Sequence, residues 1–138
     1  MTNQIITLST LIQRPIEFVW ERWTQAEHII HWNFASEDWC CPRALNELYP
    51  DGRINWRMEA KDGSFGFDFT GRYLHVEAFK RLDYILDDER RVSVQFNILS
   101  EGVELVESFE AEMENSVELQ TMGWQAILDN FKKYCLID

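Results

Sequence analysis

The stretch that decides the fold is NSVELQTMGWQAILDNFKKYC, residues 115–135. Side chains that mark one helical face recur in it at i, i+4 and i+7 spacing. They are Val117, Thr121, Trp124, Leu128, Phe131 and Cys135. Asn115 and Glu118 stand at N-cap and N3 spacing, which predicts that the helix begins at Asn115. A helix of about 20 residues is about 30 Å long, enough to lie across a small sheet.

The residues before this helix alternate between apolar and polar side chains, as in antiparallel strands with one dry face. The predicted strands include 53–60, 65–71, 82–86, 92–98 and 103–111. Asp62-Gly63 is a strong two-residue hairpin pattern. Gly71 marks a place where a bulge or bend would let the sheet curve. The short connections favour consecutive antiparallel strands.

The N-terminal part predicts one more strand and two short helices. Gln4–Ile12 is rich in β-branched residues, and Pro15 suits the first position of a helix. Thr24 and Glu27 have capping-box spacing, so a second short helix is predicted from there to about Trp32. Residues 33–42 are predicted to form a loop.

The predicted class is therefore α+β, in one domain spanning residues 1–138. It has a curved antiparallel sheet of six to seven strands, two short N-terminal helices and one long C-terminal helix.

Composition excludes several classes of function. The net charge is −11 and the 13 Lys and Arg residues are scattered, whereas phosphate backbones need clustered cations. We therefore expect no nucleic-acid or membrane partner. Three cysteines make no disulfide framework, no signal peptide is recognisable, and no apolar run is long enough to span a membrane. These features favour the cytoplasm. Phosphate-binding, nucleophile-elbow and dinucleotide motifs are missing, so we expect no cofactor.

Four segments together resemble the START-like helix-grip (SRPBCC) superfamily, and within it the branch named after the activator of Hsp90 ATPase. The segments are residues 15–20 with Thr24 and Trp32; 38–42; 58–63 running on to 71–73; and 123–128. The resemblance covers about residues 6–134. It implies a sheet that grips the last helix around a cavity, which relatives use for lipids, steroids, hormones and polyketides. In the eukaryotic Hsp90 activator a separate domain precedes this one, and no such residues precede the first strand here, so we do not expect Hsp90 activation.

The unusually aromatic composition supplies the candidate ligand-binding residues. Rings from the strands, the loop and the helix would converge on one volume if the sheet closes on the helix. The candidates are Trp32, Phe34, Trp39, Trp56, Met58, Phe67, Phe69, Glu107, Phe109, Trp124 and Leu128. The alternative is ordinary core packing of the same rings.

Glu107 is the most informative charged residue. It shares strand parity with Leu105 and Phe109, so alternation directs it towards the helix, where its pKa would rise or it would need a donor. The alternative is a register bulge that turns it to solvent. Arg57 would contribute only if its strand face turned inward.

The vicinal pair Cys40-Cys41 raises the possibility of a nucleophile or a metal ligand, with His28, His31 or His75 as partners. No recognised metal-binding spacing supports this, and small buried side chains are the favoured interpretation, so we predict no metal and no catalytic residue. Gly123 within the last helix suggests close approach of its backbone to the sheet.

Three functions stay open from sequence. The first is binding of a small, largely apolar ligand in the cavity between the sheet and the last helix. The second is a cyclase- or hydrolase-type enzyme that uses Glu107 with a histidine. The third is a protein-interaction module, either a chaperone partner or a homodimer, that uses exposed rings in the 33–42 loop.

Overall fold

A computed structural model describes residues 4–137 of the chain. Its strands are β1 (Ile5–Ile12), β2 (Trp39–Asn46), β3 (Arg53–Ala60), β4 (Gly66–Glu77), β5 (Arg81–Leu86), β6 (Arg91–Leu99) and β7 (Gly102–Glu110), and its helices are α1 (Ile16–Thr24), α2 (Ala26–Ile29) and α3 (Val117–Cys135). The seven strands form one antiparallel sheet in the order β1-β7-β6-β5-β4-β3-β2. This curved sheet with the long helix α3 confirms the predicted α+β helix-grip fold. Among the residues described, no helix is long and apolar enough to cross a membrane.

The strand pattern follows the predicted alternation. In β3 and β7 nearly every second side chain is buried, because only one face of the sheet packs against the helices. The hairpin between β3 and β4 turns at Asp62-Gly63, as predicted, and Gly63 adopts a φ of 78° there. The Asp62 carboxylate accepts a hydrogen bond from the backbone N–H of Ser64 at 2.8 Å, which fixes the turn.

Strand β4 contains the irregularity that was expected near Gly71. Its first part pairs with β3 and its second with β5, and the register shifts between Tyr73 and His75. The irregularity lies slightly beyond Gly71, where it was predicted. A Cβ on Gly71 would come within 2.4 Å of the Ile85 carbonyl oxygen, so the two backbones approach closely there.

The N-terminal helices differ in detail from the prediction. Pro15 is the N-cap of α1, with ψ 155°, and does not belong to its first turn. Thr24 ends α1, and its hydroxyl donates to the Trp20 carbonyl at 2.7 Å, so it cannot cap α2. The predicted capping box is therefore wrong: α2 begins after Gln25, with no side-chain cap.

The predicted loop over residues 33–42 is only partly a loop, because β2 begins at Trp39. This strand contains Cys40, Cys41 and Pro42, and its register shifts between Cys40 and Arg43. It is an edge strand, so the missing N–H of a proline costs no ladder hydrogen bond on the open side. The bulge and the proline interrupt the alternation of apolar and polar side chains from which β2 would have been predicted.

Helix α3 begins one residue later than predicted. Ser116 is the N-cap, and its hydroxyl accepts a hydrogen bond from the Leu119 backbone N–H at 3.1 Å. The predicted apolar face is otherwise the buried one, and Leu128, Phe131 and Cys135 are fully buried. These three side chains anchor the C-terminal half of α3 to the core.

The solid core lies around this C-terminal half. Trp23 stacks on Trp32 with ring centroids 4.6 Å apart, and Phe131 meets both edge-on at 4.9 Å. Two guanidinium groups tie the end of α3 to the N-terminal segment. Arg14 donates to the Cys135 carbonyl at 2.9 Å and Arg22 to the Tyr134 carbonyl at 2.8 Å.

Candidate functional site

A cavity of about 390 Å³ lies between the concave face of the sheet and the N-terminal half of α3, and it opens to solvent on one side. Its volume falls within the range typical of small-molecule sites. Most of its wall is aromatic or aliphatic. The apolar lining comprises Trp23, Trp32, Phe34, Ala35, Trp39, Trp56, Met58, Phe67, Phe69, Leu119, Trp124 and Ile127.

The rings form a connected wall. Trp56 of β3 stacks on Phe69 of β4 with centroids 5.3 Å apart and an interplanar angle of 10°. Phe69 also meets Trp124 of α3 edge-on at 6.0 Å, which links sheet and helix across the cavity. Each ring restricts the rotamers of the next, so the apolar wall is largely preformed.

Glu107 of β7 lies in this wall and is only 5% exposed. It pairs in register with Leu8 on one side and Val94 on the other, with no bulge in β7. The inward orientation predicted from alternation is therefore confirmed. Burial raises the pKa of the Glu107 carboxyl to about 8, with no charged neighbour contributing to the shift.

Two further polar groups belong to the same wall. Burial, and secondarily the Glu107 charge, raise the pKa of the Tyr84 hydroxyl well above its usual value. Within residues 4–137, neither Glu107 nor Tyr84 has a side-chain hydrogen-bond or ion-pair partner. The indole N–H of Trp56 is also buried without a partner. Buried polar groups are normally paired, so the unpaired indole N–H of Trp56 is unusual.

Residues outside the strands and helices complete the cavity. Arg90 lines it and donates to the Asp88 carboxylate at 2.7 Å and to the Glu110 carbonyl at 3.3 Å. Beside Trp39, the rings of Phe65 and Phe67 are 67% and 43% exposed. The cavity lining is thus apolar at Trp39 and Phe67 and polar at Arg90.

Gln120, which also lines the cavity, holds the connection between β7 and α3 in place. Its side-chain oxygen accepts from the Glu112 backbone N–H at 2.8 Å. Its amide nitrogen donates to the carbonyl oxygens of Glu112 at 3.2 Å and Asn115 at 2.8 Å. The buried amide replaces the secondary-structure hydrogen bonds that this turn lacks.

Gly123 lies on the face of α3 that lines the cavity, and a Cβ there would meet no atom within 4 Å. The predicted close approach of its backbone to the sheet is wrong. The glycine leaves open space beside the aromatic wall.

The structure brings most of the predicted ligand-binding residues together in this wall, but not all. Phe109 is covered by the stacked ring of Trp124, and Leu128 is buried in the core, so neither lines the cavity. Arg57 faces the outer surface, where it pairs with Glu59 at 3.0 Å and Asp68 at 3.8 Å. Its strand face does not turn inward, which removes it as a polar contributor.

The residues suggested for nucleophilic or metal chemistry lie elsewhere. His28 hydrogen-bonds with the Tyr134 hydroxyl at 2.6 Å, and His31 stacks on the same ring. His75 contacts Glu77 at 3.4 Å on the outer face. None of the three lines the cavity, so the predicted pairing of Glu107 with a histidine is wrong. Burial raises the pKa of the Cys41 thiol to about 11, which disfavours a nucleophilic thiolate. No group of three or more metal-ligating side chains occurs in residues 4–137.

Sequence reasoning missed Tyr84, Arg90 and Gln120 as residues of the cavity. Tyr84 shares parity with the buried Leu82 and Leu86, and that pattern would have placed it inward. Arg90 and Gln120 carry no such pattern. Their positions depend on a turn and on the approach of α3, which are tertiary features.

A sheet gripping one long helix around an open, aromatic cavity defines a helix-grip protein of the START-like class. The profile of the family described as "Activator of Hsp90 ATPase homolog 1-like protein" matches residues 13–135. The chain therefore belongs to this family. No curated protein matches its sequence significantly.

Solved structures agree with this assignment. The chain is 44% identical to the AHSA1-like protein from Aeromonas hydrophila, with a TM-score of 0.90 over 95% of this chain and 91% of that one. It is 41% identical to a protein from Cytophaga hutchinsonii, with a TM-score of 0.82 over 94% and 90%. A protein of unknown function from Staphylococcus aureus, 12% identical over 97% and 94%, shares the fold with a TM-score of 0.78.

Proposed function

We propose that this protein binds a small, largely apolar molecule in the cavity between its sheet and α3. The observation that carries the proposal is the open cavity of about 390 Å³ walled by aromatic rings. A soluble domain usually fills such a space with side chains, because empty apolar volume costs packing energy. Gly123 has no side chain that could fill this space, and the space beside it is open.

The wall suits binding better than catalysis. Burial of apolar ligand surface stabilises a complex by about 25 cal/mol per Å². A few polar groups, here Glu107 and Tyr84, would fix the orientation of the ligand. No histidine or cysteine is among the described residues that line this wall, so a thiol nucleophile activated by a histidine has no residues here.

Native mass spectrometry of gently purified protein tests the proposal, with identification of anything released on denaturation. A bound small molecule at near one-to-one stoichiometry is the expected result. The variant Gly123→Leu places a side chain in the cavity and should lose that molecule while keeping its fold. The matched control Met122→Leu changes an exposed residue of the same helix and should retain it.

The opposite results are equally clear. If Gly123→Leu kept the molecule at full occupancy, the ligand would lie elsewhere and the proposal would fail. A mass of the bare chain for every variant would count against the proposal and favour the protein-interaction alternative, for which co-purification is the direct assay.

A further inference from the structure

Three charged residues line the cavity, Arg90, Glu107 and Glu112, and Glu107 is the most deeply buried of them. Glu107 is buried, and no Lys, Arg or His of the described chain pairs with it. The other two are already engaged: Arg90 donates to the Asp88 carboxylate and the Glu110 carbonyl, and Glu112 accepts a hydrogen bond from the Asn115 backbone N–H at 2.6 Å. A buried carboxylate without a partner is costly, so an isolated one leaves room for a partner supplied from outside.

The surroundings of Glu107 are suited to a positive charge. Trp56, Phe69, Tyr84 and Trp124 line the same cavity, and the faces of aromatic rings attract ammonium groups within about 6 Å. The chain has a net charge of −11, which favours the approach of cations and disfavours that of anions. Three independent features, the unpaired carboxyl, the rings and the net charge, thus point to the same kind of ligand.

We propose that the cavity selects a small organic amine, whose ammonium group pairs with Glu107 while its apolar body lies against the aromatic wall. This inference rests on the proposed function, because it names the class of molecule that the cavity binds. This inference adds one testable statement to the proposed function, namely that the ligand carries a positive charge.

Pairing would couple binding to protonation. The neighbours of Glu107 on β1 and β6 are Leu8 and Val94, and the titratable group that faces it from β5 is Tyr84. The charged residues Arg90 and Glu112 line the same cavity from the connections that follow β5 and β7. α3 contributes only uncharged side chains to the wall. Glu107 is mostly protonated at neutral pH, so an ammonium ligand would release its proton to solvent. Amine binding should therefore strengthen as the pH rises from 6 to 8.5, below the range in which alkyl amines lose their charge.

Three probes that share a naphthalene ring but differ in charge test which ligand charge the cavity prefers. They are the cationic 2-(1-naphthyl)ethylamine, the neutral 2-(1-naphthyl)ethanol and the anionic 1-naphthaleneacetate. Isothermal titration calorimetry at pH 8 gives their affinities. The amine should bind at least tenfold more tightly than the alcohol, and the acetate most weakly. Glu107→Gln should remove the preference for the amine but change alcohol binding less than threefold. Glu104→Gln deletes a charge from the outer face of the same strand and should leave the preference intact.

The outcomes separate the two proposals. Equal or tighter binding of the alcohol, or a preference for the amine that survives in Glu107→Gln, would overturn the charge assignment and leave a cavity for neutral ligands. Failure of all three probes to bind, together with bare protein in native mass spectrometry, would overturn ligand binding itself. Equal loss of the preference in Glu104→Gln would attribute it to net charge and overturn the role of Glu107.

Discussion

The indole of Trp124 on α3 lies flat on the ring of Phe109 on β7, with centroids 3.8 Å apart and an interplanar angle of 9°. One side chain therefore has two roles: it seals Phe109 into the core and forms part of the cavity wall. This stack separates the packed core from the cavity.

Replacing Trp124 should separate these roles. Trp124→Ala exposes Phe109 and should lower the free energy of unfolding by about 3 kcal/mol. Trp124→Phe keeps a ring on Phe109 and should cost less than about 1.5 kcal/mol. Urea unfolding followed by circular dichroism measures both. Equal stability of the two variants would show that the stack contributes little.

Gly123 should be dispensable for stability. Gly123→Ala introduces a methyl group into open space and removes the helix-destabilising glycine, so the free energy of unfolding should rise by about 0.5–1 kcal/mol. Thermal and urea unfolding measure the change. A loss of stability would mean that the helix backbone approaches the sheet more closely than described.

Glu107 should make stability depend on pH. Its pKa is about 8 when folded and near 4.3 when unfolded, so the folded state holds the extra proton between these values. The resulting stabilisation is complete below about pH 4 and is lost as the pH rises to about 8, by up to roughly 1.4 kcal/mol per unit. Glu107→Gln should lack this slope. Urea titrations of both proteins at each pH from 5 to 9 would measure this difference. If the free energies of unfolding of the two proteins changed with pH in the same way, the shift in the Glu107 pKa would be refuted.

Gln120 should stabilise the connection between β7 and α3. Gln120→Ala leaves the backbone groups of Glu112 and Asn115 without partners and should cost about 1–3 kcal/mol. Gln125→Ala, one turn further on, is the matched control, since its amide bonds only to Asp129 at the surface. If both variants unfolded at the same urea concentration, the hydrogen bonds of the Gln120 side chain would contribute little to stability.

Cysteine reactivity should differ along the chain. Burial raises the pKa of Cys41 to about 11 and that of Cys135 to about 12, whereas Cys40 is partly exposed. Iodoacetamide at pH 8 should therefore modify Cys40 first, and the other two only after denaturation. Peptide mapping by mass spectrometry identifies the modified residues. Prompt labelling of Cys41 would contradict the described burial.

The sequence predicted the fold and much of the wall because both depend on short-range periodicity. Alternation along β7 was enough to direct Glu107 inward, and the helical period was enough to place Trp124 on the inner face of α3. The periodicity of strand and helix could not, however, distinguish side chains that line the cavity from side chains that are packed in the core. Phe109 and Trp124 both point inward, but only one faces the cavity, because one ring covers the other.

Other features depend on long-range geometry and left no local pattern. The open space at Gly123 results from how far the curved sheet stands from α3. The role of Gln120 depends on a turn that exists only when the helix is docked. Near Cys41 and Pro42 a bulged edge strand lacked the regular alternation by which strands are recognised.

The two halves of α3 are packed differently, and this has an evolutionary consequence. The C-terminal half carries Leu128 and Phe131 into the core, whereas the N-terminal half exposes Gly123 and one side of Trp124 to the cavity. Within α3, substitutions in the N-terminal half therefore change the lining of the cavity, whereas substitutions in the C-terminal half mainly lower stability. One helix can therefore vary in sequence where it borders the cavity while the residues that hold it to the core are retained in descendants of this protein.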